Sequence, residues 1–167
     1  PLVSFTIIAL FGKSLSKNII TYLAPGSILA SFIVALFIFF SQVSNNHAVN
    51  VPIFTWIHVG DFHADFSFLV DSLSIIFTLV ITGVGFLIHV YSTGYMHDEK
   101  DYNRYFSYLN LFVFFMLLLV LGDNFLLMFV GWEGVGLCSY LLIGFWFRNI
   151  NYSNAANKAF IMNRIGD

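Results

Sequence analysis

Hydrophobic residues in this chain fall in long runs separated by short polar stretches. Several of the runs approach the roughly 20 apolar residues that a helix needs to cross a hydrocarbon core. The pattern predicts six segments. The first is a fragment, Leu2 to Phe11, and the second runs from Ile19 to Phe40. The second holds Pro25 and Gly26, which membrane helices tolerate when neighbours satisfy the freed backbone groups. The third runs from about Phe68 to Tyr91, the fourth from about Tyr105 to Leu121 and the fifth from about Phe125 to Phe147. The sixth begins near Asn154 and stops at Asp167. Gly122, Asp123 and Asn124 are turn formers that split what would otherwise be one overlong span, so the chain reverses there almost without a loop.

A different period governs Ser41 to Ser67. The stretch VPIFTWIHVGDFHADFSF alternates bulky and polar residues around Gly60, as a β-hairpin does. Trp56 and the nearby phenylalanines suit a membrane–water interface. The expected fold is an all-α polytopic membrane protein of about six transmembrane helices, the first and last incomplete, with a small extramembrane β-hairpin near residues 49–66. Residues 1–104 form an N-terminal group of three helices with their loops, and residues 105–167 hold helices four, five and part of six. No basic n-region or small-residue cleavage site marks a removable leader. The apolar start at Pro1 and the helical pattern still running at Asp167 read as a piece of a longer polypeptide.

Composition agrees with the periodicity. The chain is 59% hydrophobic and 10% charged, with 21 phenylalanines among 167 residues, too few charges for a soluble surface. The formal net charge of -2 and seven scattered basic residues give no footprint for nucleic acid. The lone Cys138 lies in an apolar run and says nothing of redox compartment. The basic residues do orient the chain. Lys13 and Lys17 sit between segments one and two, Lys100 and Arg104 between three and four, and Arg148 between five and six, with Lys158 just beyond. The other two connections carry none, so the odd loops face the cytoplasm, or the matrix in an organelle.

Against this background GWEGVG, Gly131 to Gly136, stands out. Glu133 is roughly 12 Å from the outer end of segment five at 1.5 Å per residue, too deep for its short side chain to reach water. An ionisable group there needs protein, water or a partner charge, and the default reading is functional. The competing reading is a carboxyl held by hydrogen bonds between helices. Gly134 and Cys138 make a small-xxx-small pair that lets backbones approach, and Glu133, Gly136 and Tyr140 share a face. On segment six Arg164 and Asp167 lie about 15 and 20 Å deep, three residues apart, with Asn157 and Asn163 nearby. They either pair with each other or join Glu133 in one layer as a relay of groups whose pKa values burial and neighbours can move. Lys158 is shallow enough to snorkel. Asp71 and His89 lie near the two ends of segment three and read as interfacial, although a histidine could pass protons at an entrance. Asp123 is read as a turn residue and nothing more. His47, His58, His63 and His97 fall in loops, and HVGDFHAD shows no metal-ligand spacing. HDEKD, His97 to Asp101, reads as a solvated loop. No phosphate loop, cysteine cluster or nucleotide fingerprint is present, so electron transfer and NADH oxidation do not reside in this stretch.

GWEGVGLCSYLLIGFW, together with VDSLSIIFTLVITGVGFLIHVYSTGYM and ANKAFIMNRIGD, resembles chain 5, the L subunit, of respiratory NADH:quinone oxidoreductase (complex I). The resemblance covers about residues 52–167. It implies an antiporter-like, proton-translocating membrane-arm subunit built of inverted five-helix repeats, of which helices four to six open the first. Glu133 then matches the family's membrane glutamate, and Arg164 and Asp167 match charged positions on the sixth helix that couple sites. The lysine partner of the glutamate would lie beyond Asp167. The proton-translocation set is Glu133, Arg164, Asp167, Lys158 and His89. No cofactor or metal belongs to this chain. NADH, FMN, iron–sulfur clusters and quinone belong to partner subunits, and the implied neighbour is the antiporter-like chain 4 (M) subunit. The implied location is a bacterial plasma membrane or the mitochondrial inner membrane. Large subunits of multisubunit sodium/proton antiporters are similar, and a non-transporting scaffold is the third reading.

Overall fold

The computed structural model describes residues 1–45, 48–60 and 62–167. Six helices and one hairpin occur in the order α1 (Leu2–Phe11), α2 (Lys17–Asn45), β1 (Val49–Val59), β2 (Phe62–Val70), α3 (Ser72–Tyr95), α4 (Tyr102–Leu121), α5 (Phe125–Ile143) and α6 (Ile150–Gly166). Stretches of α2, α3, α4 and α5 are long and apolar enough to cross a membrane, and α1 is a shorter apolar helix. Four such helices in one chain mark an integral membrane protein.

The expected elements are all present, with several boundaries moved: α2 runs on to Asn45, α3 to Tyr95, and α4 begins at Tyr102. The third segment does not begin at Phe68, because Phe62–Val70 is a strand. The Asp71 carboxylate accepts the Ser74 backbone N–H while the Ser74 hydroxyl accepts the Asp71 N–H, a capping box that starts α3 at Ser72. Asp71 is therefore a helix cap, and these hydrogen bonds hold its carboxyl below the usual range. The sixth helix starts earlier than Asn154. The Asn149 side chain accepts from the Asn151 N–H and opens α6 at Ile150. The fifth ends at Ile143 rather than Phe147, since residues from Gly144 turn. His47 lies outside the described residues.

α3 shows how the molecule is solvated. Its buried positions are Ser74, Ile75, Thr78, Thr82, Gly85, His89 and Ser92, nearly all polar or small. Its exposed positions include Phe77, Val80, Val84, Leu87, Ile88 and Tyr91. Apolar side chains outward and small polar ones inward is the arrangement a lipid solvent favours, where close backbone approach holds helices together. α4 is the hub, in contact with α1, α2, α3, α5 and β2. Ile8, Ile20, Ala24, Met96, Tyr102, Phe106 and Phe145 form one buried cluster, drawn from α1, α2, the α3–α4 connection, α4 and the turn after α5.

The two ends of the bundle differ. At one end the loops that hold basic residues meet. Lys17 Nζ donates to the carbonyls of His97 and Glu99 at 3.1 and 3.2 Å, Arg104 donates to the Phe145 carbonyl at 3.0 Å, and Trp146 Nε1 donates to Glu99 at 3.2 Å. HDEKD is thus more than a solvated loop: Glu99 and Asp101 take part in this lattice, Asp101 by pairing with Arg104 at 3.2 Å. At the other end the hairpin grips the α4–α5 turn. Asp123 accepts from Asn50 Nδ2 at 2.7 Å and Ser67 Oγ at 2.9 Å, and its N–H donates to the Ser67 carbonyl. Asn124 Nδ2 donates to the Asp65 carbonyl at 2.7 Å. Asp123 therefore does more than turn the chain: it clasps the sheet to the bundle.

Candidate functional site

The site is built on α5, and its glycines set its geometry. A Cβ on Gly131 would lie 2.5 Å from the backbone nitrogen of Leu119, and one on Gly134 would fall on the ring of Phe115. Both contacts are with α4, so these two glycines let α5 lie directly against it. Cys138 is buried. Gly136 has nothing within 4 Å and makes no such contact.

With one face of α5 spent on α4, Glu133 turns toward α6. Its carboxylate pairs with the Arg164 guanidinium in a hydrogen-bonded ion pair. Farther along the same face the rings of Tyr140 and Phe160 lie 5.4 Å apart between centroids, and a Cβ on Gly144 would stand 3.2 Å from the Ala156 methyl. The sums of paired residue numbers hardly change along the contact, as for two antiparallel helices in steady register. A groove of about 500 Å³ borders the pair, lined by Phe115, Phe129, Val130, Leu137 and Phe160 besides the two charged residues.

Asp167 is next to this pair but outside it. It accepts a 2.6 Å hydrogen bond from Trp132 Nε1, so consecutive residues of α5 hold Arg164 in the last turn of α6 and Asp167 at its C-terminal cap. The Arg164–Asp167 pairing open from their spacing does not form; Arg164 is committed to Glu133. In side-chain terms Glu133 is 22% exposed and Arg164 58%. At mid-helix depth an uncovered guanidinium needs protein or water against it rather than hydrocarbon.

The other predicted site residues are elsewhere. His89 is not at an interface. It is wholly buried, between α3 and α4, where its Nδ1–H donates to the Gly85 carbonyl at 2.7 Å and its ring faces Phe106. Its Nε2 is buried with no hydrogen-bond partner among the described residues. The reason is packing: His89 continues the inward polar stripe of α3. Lys158 is exposed on α6, away from the ion pair. Burial of His89 was legible in the i, i+3, i+4 spacing of Ser74, Thr78, Thr82, Gly85, His89 and Ser92, which puts them on one face of α3. Sequence reasoning also missed a buried polar contact in the same region, for which no such spacing gave a signal. Ser27 Oγ donates to Asn110 Oδ1 at 2.9 Å between α2 and α4, and Asn110 is wholly buried. It also missed Trp132. Among the described residues no group of three or more His, Cys, Asp and Glu could hold a metal ion.

Comparison with known proteins gives this geometry its context. Residues 56–106 match the family described as NADH-ubiquinone oxidoreductase (complex I), chain 5 N-terminus. Residues 122–167, which contain the whole α5–α6 pair, match the family described as NADH:quinone oxidoreductase/Mrp antiporter, TM. NADH-quinone oxidoreductase subunit L of Escherichia coli is 45% identical over all of this chain. The chain belongs to the chain 5 (subunit L) family of complex I. NADH-ubiquinone oxidoreductase chain 5 of Allomyces macrogynus is likewise 45% identical over the whole chain, and subunit L of Mycobacterium tuberculosis is 56% identical over 72% of it. The chain spans about a quarter of the length of the subunit L and chain 5 relatives it matches throughout, 27% of the E. coli protein and 26% of the A. macrogynus one. The likeness to the E. coli and A. macrogynus proteins runs over the whole chain, so the residues of the ion pair lie within it.

Proposed function

We propose that this chain forms the opening helices of a proton-translocating membrane-arm subunit of NADH:quinone oxidoreductase, with Glu133 as the group that changes protonation. The Glu133–Arg164 ion pair inside α5–α6, with Asp167 held one residue away by Trp132, is the observation that carries the reading. The arrangement supplies a two-position switch. With Glu133 ionised, its charge holds Arg164. When a proton neutralises Glu133 the attraction is lost, and Arg164 has a second carboxylate within one turn of its own helix, Asp167. The return of Arg164 lowers the proton affinity of Glu133 and expels the proton. A charge brought near the pair by quinone chemistry in partner subunits would bias the same equilibrium. This chain supplies no redox group to that chemistry. NADH, FMN, iron–sulfur clusters and quinone stay with the other subunits, and the antiporter-like chain 4 (M) subunit is the proposed neighbour. Residues 105–167 open the first antiporter-like repeat, while Lys158 and His89 serve as outlying members of the proton path. The membrane is a bacterial plasma membrane or the mitochondrial inner membrane.

The test is Glu133→Gln in the assembled complex, reconstituted in vesicles. Proton pumping should fall several-fold while NADH-driven electron transfer is retained. Undiminished pumping rejects the role of Glu133. The description of the family matched by residues 122–167 also names the Mrp antiporter, so cation/proton exchange is the second reading. Sodium-dependent exchange with no response to NADH would favour it. Loss of complex abundance with full activity per assembled complex would favour a scaffold.

A further inference from the structure

His58 and His63 are five residues apart, a spacing that suggests no metal site in sequence. The hairpin changes this. The chain reverses beyond Gly60, whose φ of 57° lies in the left-handed region, and the antiparallel register places His58 directly opposite His63. Their rings lie 4.2 Å apart between centroids at 64° to each other, and both residues are exposed. Neither ring has a hydrogen bond or ion pair among the described residues. They stand at the end of the hairpin farthest from α3, beyond Asp65, at the face of the molecule away from the basic loops.

We propose that His58 and His63 form a two-ligand site for a borderline-soft divalent cation of the zinc or copper(II) class. Neutral imidazole nitrogens are ligands of choice for such ions at metal–nitrogen distances of about 2.0–2.1 Å, and two of them on one ion are roughly 3.3 Å apart. Rings already this close bring one nitrogen each to that separation by side-chain rotation alone. Hard cations are excluded by the donor set, since calcium and magnesium take oxygen ligands. No third His, Cys, Asp or Glu completes the set among the described residues. Bound metal would cross-link β1 to β2 at the end opposite the Asp123 clasp, stiffening a two-stranded ribbon that is marginal alone.

The site is independent of the transport reading. Its test uses the whole chain in detergent or nanodiscs, titrated with copper(II) and followed by electron paramagnetic resonance, and with zinc by calorimetry. One ion per chain is expected, with nitrogen coupling in the copper spectrum and tighter binding of copper than of zinc. His58→Ala and His63→Ala should each weaken binding roughly tenfold or more. His97→Ala should leave it unchanged, and excess calcium should not compete. The variants lie on an exposed ribbon, so an unchanged circular dichroism spectrum serves as the folding control. Absence of binding, binding that survives the double variant, or loss confined to one of the two single variants overturns the proposal.

Discussion

Trp132 and Glu133 are neighbours in the chain but do different things to α6. Glu133 offers a charge, whereas Trp132 offers a single N–H that keeps Asp167 turned from Arg164. Trp132→Phe keeps most of the ring and removes the donor. A hydrogen bond to a charged acceptor contributes at most ~1.5–3 kcal/mol, less at an exposed site. Freed Asp167 then competes with Glu133 for Arg164, and the proposed pumping should fall several-fold with its pH profile displaced. Vesicle assays across a pH series measure this; a purely structural tryptophan would lower abundance and leave the profile in place. Asp71 gives a second residue-scale prediction. Asp71→Ala should cost about 1 kcal/mol through loss of the α3 cap. The folded carboxyl is depressed, so the cap contributes fully above the free value of 3.8 and its contribution is lost as pH falls through the folded value. Unfolding midpoints of the two proteins should differ at neutral pH and converge in acid. Glu133, Arg164 and Asp167 were each legible as charges set within or beside apolar runs. Which of them paired was not, because the i, i+3 spacing on one helix says nothing of the register against another.

Element boundaries were legible wherever an apolar run ended on a turn former, as at Gly122 to Asn124 and at Phe11. They were not where two apolar elements of different period abut. Phe66 to Val70 continues into α3 without a compositional break, and only the Asp71–Ser74 box separates strand from helix. The start of α6 was hidden for the opposite reason, since Asn149 to Ser153 looks like loop while it caps and opens a helix. The glycines of α5 divide in a way their sequence does not show. Gly131→Ala must move α5 off the Leu119 backbone and should cost about 1–3 kcal/mol. Gly136→Ala meets open space and should be neutral to slightly stabilising, alanine being the better helix former. Thermal unfolding in one detergent, with the wild-type chain alongside, distinguishes the two. Equal effects would mean that α5 does not lie on α4 by the Gly131 face.

At the scale of the molecule, the two ends are chemically opposite. Lys17, Arg104 and Glu99 tie three loops together at one end, and Asp123 and Asn124 tie the hairpin to a turn that has no basic residue at the other. The positive-inside rule then fixes which end faces the cytoplasm or matrix. Single-cysteine labelling checks it, and the chain is suited to the experiment because its lone native thiol, Cys138, is buried. Asp98→Cys lies in the loop between α3 and α4, where the native side chain is fully exposed, and Val59→Cys lies on the exposed hairpin. In sealed, right-side-out vesicles a membrane-impermeant maleimide should label Val59→Cys and spare Asp98→Cys; inverted vesicles should reverse the pattern. Labelling of both from one side would mean that α3 does not cross the bilayer. The inverted α3, with its apolar side chains outward, and the position of Glu133 halfway along α5 both depend on that crossing. Its loss would also remove the reason to place the Glu133–Arg164 pair within the hydrocarbon layer.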